Sequence, residues 1–132
     1  MTKILVIEDE ESVRENILEL LDTEGFEAIA AKNGRIGLFL AQKELPDLIL
    51  CDVRMPELDG YGVLTGLRSE PTTAAIPFIF LTAKAAKTDL SLGLELGAHA
   101  YITKPFTLVE LLDTIDQALL QAPSPAAQIE SR

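Results

Sequence analysis

Three carboxylates, one hydroxyl and one ammonium stand immediately after short apolar runs in this sequence. Glu8-Asp9 follows the run at residues 4–7, Asp52 the run at 48–51, Thr82 the run at 78–81, and Lys104-Pro105 the weaker run at 100–103. If the runs are neighbouring strands, these groups meet at one edge. Two carboxylates about 4 Å apart at an effective dielectric near 20 repel by roughly 4 kcal/mol, so three of them require a cation. Lys104 supplies one positive charge. Oxygen donors with room for water suit Mg²⁺, which takes one or two protein carboxylates and shares its other positions with phosphate and solvent. Bound there, such an ion cancels the repulsion and polarises a phosphoryl group. Asp52 can then attack phosphorus and form a mixed anhydride, while Thr82 donates to one phosphoryl oxygen and Lys104 pairs with another. The chemistry implied is phosphoryl transfer onto an aspartate.

The elements that must position these groups are legible from periodicity. Apolar runs at 4–7, 48–51 and 78–81, with weaker ones at 26–30 and 100–103, predict five strands. Helical patterns lie between them. Ser12-Val13-Arg14-Glu15 has the form of a capping box opening the first helix, which Gly25 stops. Asn33 caps a second helix to about residue 43, Asp59 a third to about 69, and a fourth runs from 85 to 96 before Gly97. The third carries Gly60, Gly62 and Gly66, each of which weakens a helix by up to about 1 kcal/mol relative to Ala, so packing must hold it. Thr107-Leu108-Val109-Glu110 repeats the capping-box pattern, and Leu108, Leu111, Leu112, Ile115 and Leu119 share one face of the last helix. Strands apolar on both faces, alternating with helices, predict an α/β doubly wound five-stranded parallel sheet covered by five helices on both faces. Ligands of such sheets bind beyond the carboxyl ends of the strands, where the polar residues stand.

The 132 residues fit one domain, and 48% apolar content is enough for a sizeable core. Residues 1–121 form that domain, and 122–132, rich in Ala, Pro and Ser, read as a linker or flexible tail. A net charge of −10 repels phosphate backbones and argues against direct nucleic-acid binding. The single cysteine, Cys51, excludes an internal disulfide and suits a reducing compartment. No apolar run approaches a membrane span, and Met1-Thr2-Lys3 lacks the flanks of a signal peptide. The expected location is the cytoplasm.

With these motifs the sequence resembles the receiver domains of two-component response regulators over about residues 3–121. The resemblance rests on Glu8-Asp9, on residues 51–60 around Asp52, on Thr82-Ala83 and on Lys104-Pro105-Phe106. It implies a flavodoxin-like fold with strand order 2-1-3-4-5. It also implies that Asp52 is the phosphoacceptor and that Glu8, Asp9, Asp52 and the backbone carbonyl of Arg54 hold Mg²⁺, for which Mn²⁺ can substitute. Glu8, where the family often has Asp, would act mainly through water. Thr82, Ala83 and Lys104 would bind the phosphoryl group; Thr82 and Tyr101 would form a switch pair. Arg54 and Lys84, each two residues beyond a site residue, would tune the lifetime of the phosphorylated form. A cis Lys104-Pro105 peptide is expected. The implied partners are a histidine kinase or phosphotransfer protein and a second copy docked through the fourth helix, fifth strand and fifth helix; the chain either continues into an output domain missing after Gln121 or is a free-standing receiver that docks to other proteins.

Two other classes share parts of this pattern. A metal-dependent phosphohydrolase of the haloacid dehalogenase type also uses an aspartate nucleophile, but wants a second acid two residues later, where this chain has Arg54. A flavodoxin-like flavin carrier cradles phosphate in a hydroxyl- and glycine-rich loop after the first strand; Glu8-Asp9-Glu10-Glu11 does the reverse. His99, beside a glycine-containing turn, reads as structural or solvated rather than as a phosphodonor. Cys51 reads as a buried small hydrophobe.

Overall fold

The structure, a computed structural model, describes residues 1–83 and 87–121. Five strands alternate with five helices: β1 Lys3–Ile7, α1 Glu11–Thr23, β2 Glu27–Ala31, α2 Gly34–Glu44, β3 Leu48–Asp52, α3 Gly60–Arg68, β4 Phe78–Thr82, α4 Lys87–Glu95, β5 Ala100–Thr103 and α5 Leu108–Gln121. All pairings are parallel and the strand order is β2-β1-β3-β4-β5, as expected. Lys84, the start of the fourth predicted helix and the linker reading of 122–132 lie outside the described residues.

Alternation along each strand sends side chains to opposite faces, which divides the core into two layers. Leu5, Ile7, Ile49, Cys51, Phe78 and Phe80 pack with Val63, Leu64 and Leu67 of α3 and Ala41 of α2. Ile4, Val6, Leu48, Leu50, Ile79 and Leu81 pack with Ile17 and Leu21 of α1 and Leu111, Ile115 and Ala118 of α5. Each large side chain buried in this way contributes about 1.5–3 kcal/mol. Both faces being covered explains why the strands read as continuous apolar runs.

The helix caps follow the sequence with one exception. Asn33 Oδ1 accepts from the Ile36 amide at 2.8 Å, and Asp59 Oδ1 from the Gly62 amide at 2.9 Å. Thr107 and Glu110 form the reciprocal capping box, each amide donating to the other side chain at 3.1 Å. Ser12, by contrast, is not a cap: α1 begins at Glu11, and Arg14 donates its amide to the Glu10 carbonyl at 2.9 Å. Arg14 also donates from Nη1 to the Glu8 carbonyl at 2.9 Å, a contact beyond the helix that favours the earlier start. On α5 the buried stripe is Leu111, Ile115 and Ala118, whereas Leu108 is exposed because it sits beside the cap.

Gly60 explains how the glycine-rich α3 persists. A Cβ there would strike the Asp52 carbonyl oxygen and come within 2.9 Å of Phe80 Cε1. The Gly60 amide donates to the Val53 carbonyl at 2.8 Å, seating the helix start against the end of β3. At the other end of α3, Arg68 donates to the carbonyls of Ile76 and Gly97, both at 2.9 Å, and ties the loops before β4 and β5 together. Among the described residues, no helix is long and apolar enough to cross a membrane.

Candidate functional site

Parallel register places the polar residues side by side. Ile7 pairs with Cys51, so Glu8 and Asp52 each stand one step further on. Asp52 pairs with Leu81 and Thr82 with Thr103, and the Lys104 amide donates to the Thr82 carbonyl at 2.8 Å. The carboxyl edge therefore presents Glu8, Asp52, Thr82 and Lys104 from four adjacent strands. Asp9 joins them from the loop entering α1.

One ligand oxygen from each of Glu8, Asp9 and Asp52 lies within 4.8 Å of the others. Glu8 is fully buried, Asp52 and Thr82 are buried, and Asp9 is exposed. Lys104 Nζ lies 2.6 Å from Glu8 Oε1 and 3.6 Å from Asp52 Oδ2. The second Glu8 oxygen accepts from the Glu10 amide at 3.2 Å. The Lys104-Pro105 peptide is cis, as expected.

Burial, then a hydrogen bond to Glu8 and its charge, push the Asp52 carboxyl up to about 7, with Lys104 pulling the other way. Burial also disfavours ionised Glu8, yet the hydrogen bonds from Lys104, Asp52 and the Glu10 amide, together with the Lys104 charge, hold that carboxyl below its usual range. Asp9 is raised by burial and by Glu8. Burial opposes the charge on Lys104, but Glu8 and Asp52 hold its pKa above the ordinary value. The Asp52 carboxyl thus changes charge near neutral pH. With all three carboxylates ionised, one ammonium leaves two negative charges among hard oxygen donors, which fits a divalent cation such as Mg²⁺.

Ala83 is exposed beside Thr82, and Arg54 is exposed in the loop after β3. Tyr101 is half-buried, its ring stacked on Phe80 with centroids 5.1 Å apart. Cys51 is buried and donates from Sγ to the Asp52 carbonyl at 3.3 Å; burial, then the Asp52 charge, raise its thiol well above the ordinary range, which makes it inert. His99 lies at the opposite edge of the sheet, where its amide donates to the Phe78 carbonyl at 2.8 Å. Burial and then Arg68 lower its pKa, in keeping with a structural role. Sequence reasoning missed Arg14, Tyr61 and Phe80. Phe78 and Phe80, two aromatics at strand spacing, were the only signal available for the last.

The comparisons with known proteins identify the family and the fold. The family profile for the response regulator receiver domain matches residues 4–116. The chain is 47% identical over 109 residues to a probable transcriptional regulator ycf27 of Galdieria sulphuraria, covering 83% of this chain and 42% of that protein. Among solved structures, the chemotaxis protein CheY4 of Vibrio cholerae superposes with a TM-score of 0.86 at 30% identity, over 89% of this chain and 98% of its own. The receiver domain of sensor histidine kinase PA1611 from Pseudomonas aeruginosa PAO1, solved with a magnesium ion in its active-site cleft, has a TM-score of 0.84 at 29% identity, covering 91% and 98%. The chain belongs to the response regulator receiver family. It has the family's flavodoxin-like fold. It spans about half the length of the curated relatives it matches.

Proposed function

We propose that Asp52 accepts a phosphoryl group from a histidine kinase or phosphotransfer protein, and that Glu8, Asp9, Asp52 and the Arg54 carbonyl hold the Mg²⁺ this requires, or Mn²⁺ in its place. The observation that carries the reading is the juxtaposition of Asp52 with Glu8 and Asp9, with Lys104 reaching both buried acids. The ion, when bound, neutralises the carboxylates and polarises the phosphoryl oxygens. An Asp52 oxygen forms the new bond to phosphorus while the donor's phosphorus–nitrogen bond breaks, releasing imidazole. Lys104, the Thr82 hydroxyl and the Ala83 amide hold phosphoryl oxygens. Thr82 and Tyr101 form the switch pair, whose equilibrium shifts as far as the phosphoryl group binds one state better. Arg54 and Lys84 set the lifetime of the phosphorylated form.

The chain acts as a switch rather than a turnover catalyst, since the position two beyond Asp52 is Arg54 and not a second acid. The relatives are transcriptional regulators about twice its length, which supports an output domain following residue 121. Exposed Leu92, Leu94 and Val109 support a homodimer through α4, β5 and α5. Light scattering on the phosphorylated chain tests that contact; a monomer at high concentration would favour docking to another protein. The reduced cytoplasm suits the single Cys51, and the net charge of −10 disfavours direct nucleic-acid contact by this domain.

Intact mass after incubation with Mg²⁺ and phosphoramidate or acetyl phosphate tests the central claim. The wild type gains one phosphoryl group. Asp52→Asn and a chelated sample gain none. A gain by Asp52→Asn equal to the wild type would overturn the assignment.

A further inference from the structure

We infer that Phe80 is a positioning residue that makes the Tyr61 ring follow the Tyr101 ring, so that the start of α3 responds to phosphorylation together with the α4–β5 side. The inference rests on the receiver reading above and adds a second responding surface to it. Phe80 is fully buried on β4, two residues before Thr82. Its ring centroid lies 5.1 Å from that of Tyr101, with the planes 30° apart, and 5.1 Å from that of Tyr61, tilted by 56°. Phe78 meets it edge-on at 4.9 Å.

Two glycines leave this ring little room to slide. A Cβ on Gly60 of α3 would come within 2.9 Å of Phe80 Cε1, and one on Gly93 of α4 within 2.9 Å of Cε2. The same Cβ on Gly93 would strike the Tyr101 hydroxyl, so that hydroxyl sits flush against the α4 backbone. Close packing of this kind passes on a displacement instead of absorbing it. When Tyr101 moves, Phe80 loses the ring stacked on it and can shift only into the space released, which draws it away from Tyr61. Gly60 also abuts the Asp52 carbonyl, so this one glycine lies between the Phe80 ring and the backbone of the proposed phosphoacceptor.

The chain has two tyrosines, and both are in this row. Full-length protein labelled with 3-fluorotyrosine therefore gives two ¹⁹F resonances, assigned with Tyr61→Phe and Tyr101→Phe. Phosphorylation with Mg²⁺ and phosphoramidate, monitored by intact mass, moves both resonances in the wild type. In Phe80→Leu the Tyr101 resonance still moves, while the Tyr61 shift falls to less than about a third of its wild-type size. Gly93→Ala, which displaces the Tyr101 hydroxyl directly, moves both resonances without any phosphoryl group and keeps the test available if Phe80→Leu does not fold. A Tyr61 response that survives Phe80→Leu, a Tyr61 resonance that stays put when the phosphorylated wild type moves Tyr101, or a Gly93→Ala variant that leaves either resonance in place would overturn the inference. Absence of any mass gain in the wild type would instead overturn the receiver reading beneath it.

Discussion

Lys104 lies closer to Glu8 than to the proposed phosphoacceptor: its Nζ is 2.6 Å from Glu8 Oε1 and 3.6 Å from Asp52 Oδ2. The fully buried Glu8 thereby has a permanent counter-charge, while Asp52 has only a distant share of it. Removing one partner of a buried pair leaves an uncompensated charge, which is strongly destabilising. Lys104→Met, which keeps the aliphatic stem, should cost the metal-free protein about 2–4 kcal/mol. Mg²⁺ should restore part of that loss, because it binds the folded carboxylates and has little affinity for the unfolded chain. Urea unfolding with and without Mg²⁺ measures both effects. A Lys104→Met variant as stable as the wild type without metal would mean that the Glu8 carboxyl is not held ionised by this pair.

Metal and proton should compete at Asp52. Its carboxyl is pushed up to about 7 by burial and by Glu8, so below that pH the ion must displace a proton. Apparent Mg²⁺ affinity is expected to rise up to about tenfold per pH unit between pH 5.5 and 7, then level off. Titration calorimetry in buffers of different ionisation enthalpy would also detect the released proton. A flat profile across this range would rule out a protonated Asp52 in the metal-free site.

The same shift fixes the pH dependence of stability without metal. Asp52 titrates near the ordinary aspartate value of 3.8 when unfolded and near 7 when folded, so the folded state binds the extra proton. Stability then falls as pH rises from about 4 and has reached its full loss above about 7, a penalty of order a few kcal/mol. Glu8 acts oppositely. Its carboxyl is lowered from 4.5, so its contribution is present above that value and is lost as pH falls through its folded pKa. Asp52→Asn should therefore be more stable than the wild type at pH 8 in chelator and should lose the slope between pH 4 and 7. Asp9→Asn should stabilise the metal-free protein in the same direction, by less, since Asp9 is exposed. Thermal unfolding across this range decides the matter, and an Asp9→Asn variant that melts lower would contradict a strained acidic pocket.

Much of this site was legible because parallel pairing turns chain order into spatial order. Glu8, Asp52, Thr82 and Lys104 each follow an apolar run, and in-register strands place whatever follows them at one edge. The caps at Asn33, Asp59 and Thr107 were legible for a local reason, since each accepts from an amide three residues away. The start of α1 was not. Several residues from Glu10 to Ser12 could begin a helix, and the Arg14 contact with the Glu8 carbonyl is one that only the folded chain makes. The fit of the Tyr101 hydroxyl against Gly93 is equally non-local: it depends on how α4 lies on β4 and β5, which no residue spacing encodes.

A strained turn lies in the loop between Asp52 and α3. Glu57 has φ of +67°, and the Leu58 amide donates to the Pro56 carbonyl at 2.7 Å across it. A residue with a Cβ in this left-handed region costs about 1–2 kcal/mol, whereas glycine adopts it freely. Glycine loses more chain entropy on folding, about 0.5–1 kcal/mol, so the two effects partly cancel. The ion pair that Glu57 makes with Arg35 is long at 3.8 Å, and both side chains are more than 70% exposed, so its loss matters little. Glu57→Gly should accordingly stabilise the protein by about 0.5–1 kcal/mol and raise the melting temperature by ~2–4 °C. Arg35→Ala is the control and should leave the melting temperature within error of the wild type. If Glu57→Gly melts lower and Arg35→Ala reproduces that loss, the ion pair rather than the backbone governs this loop.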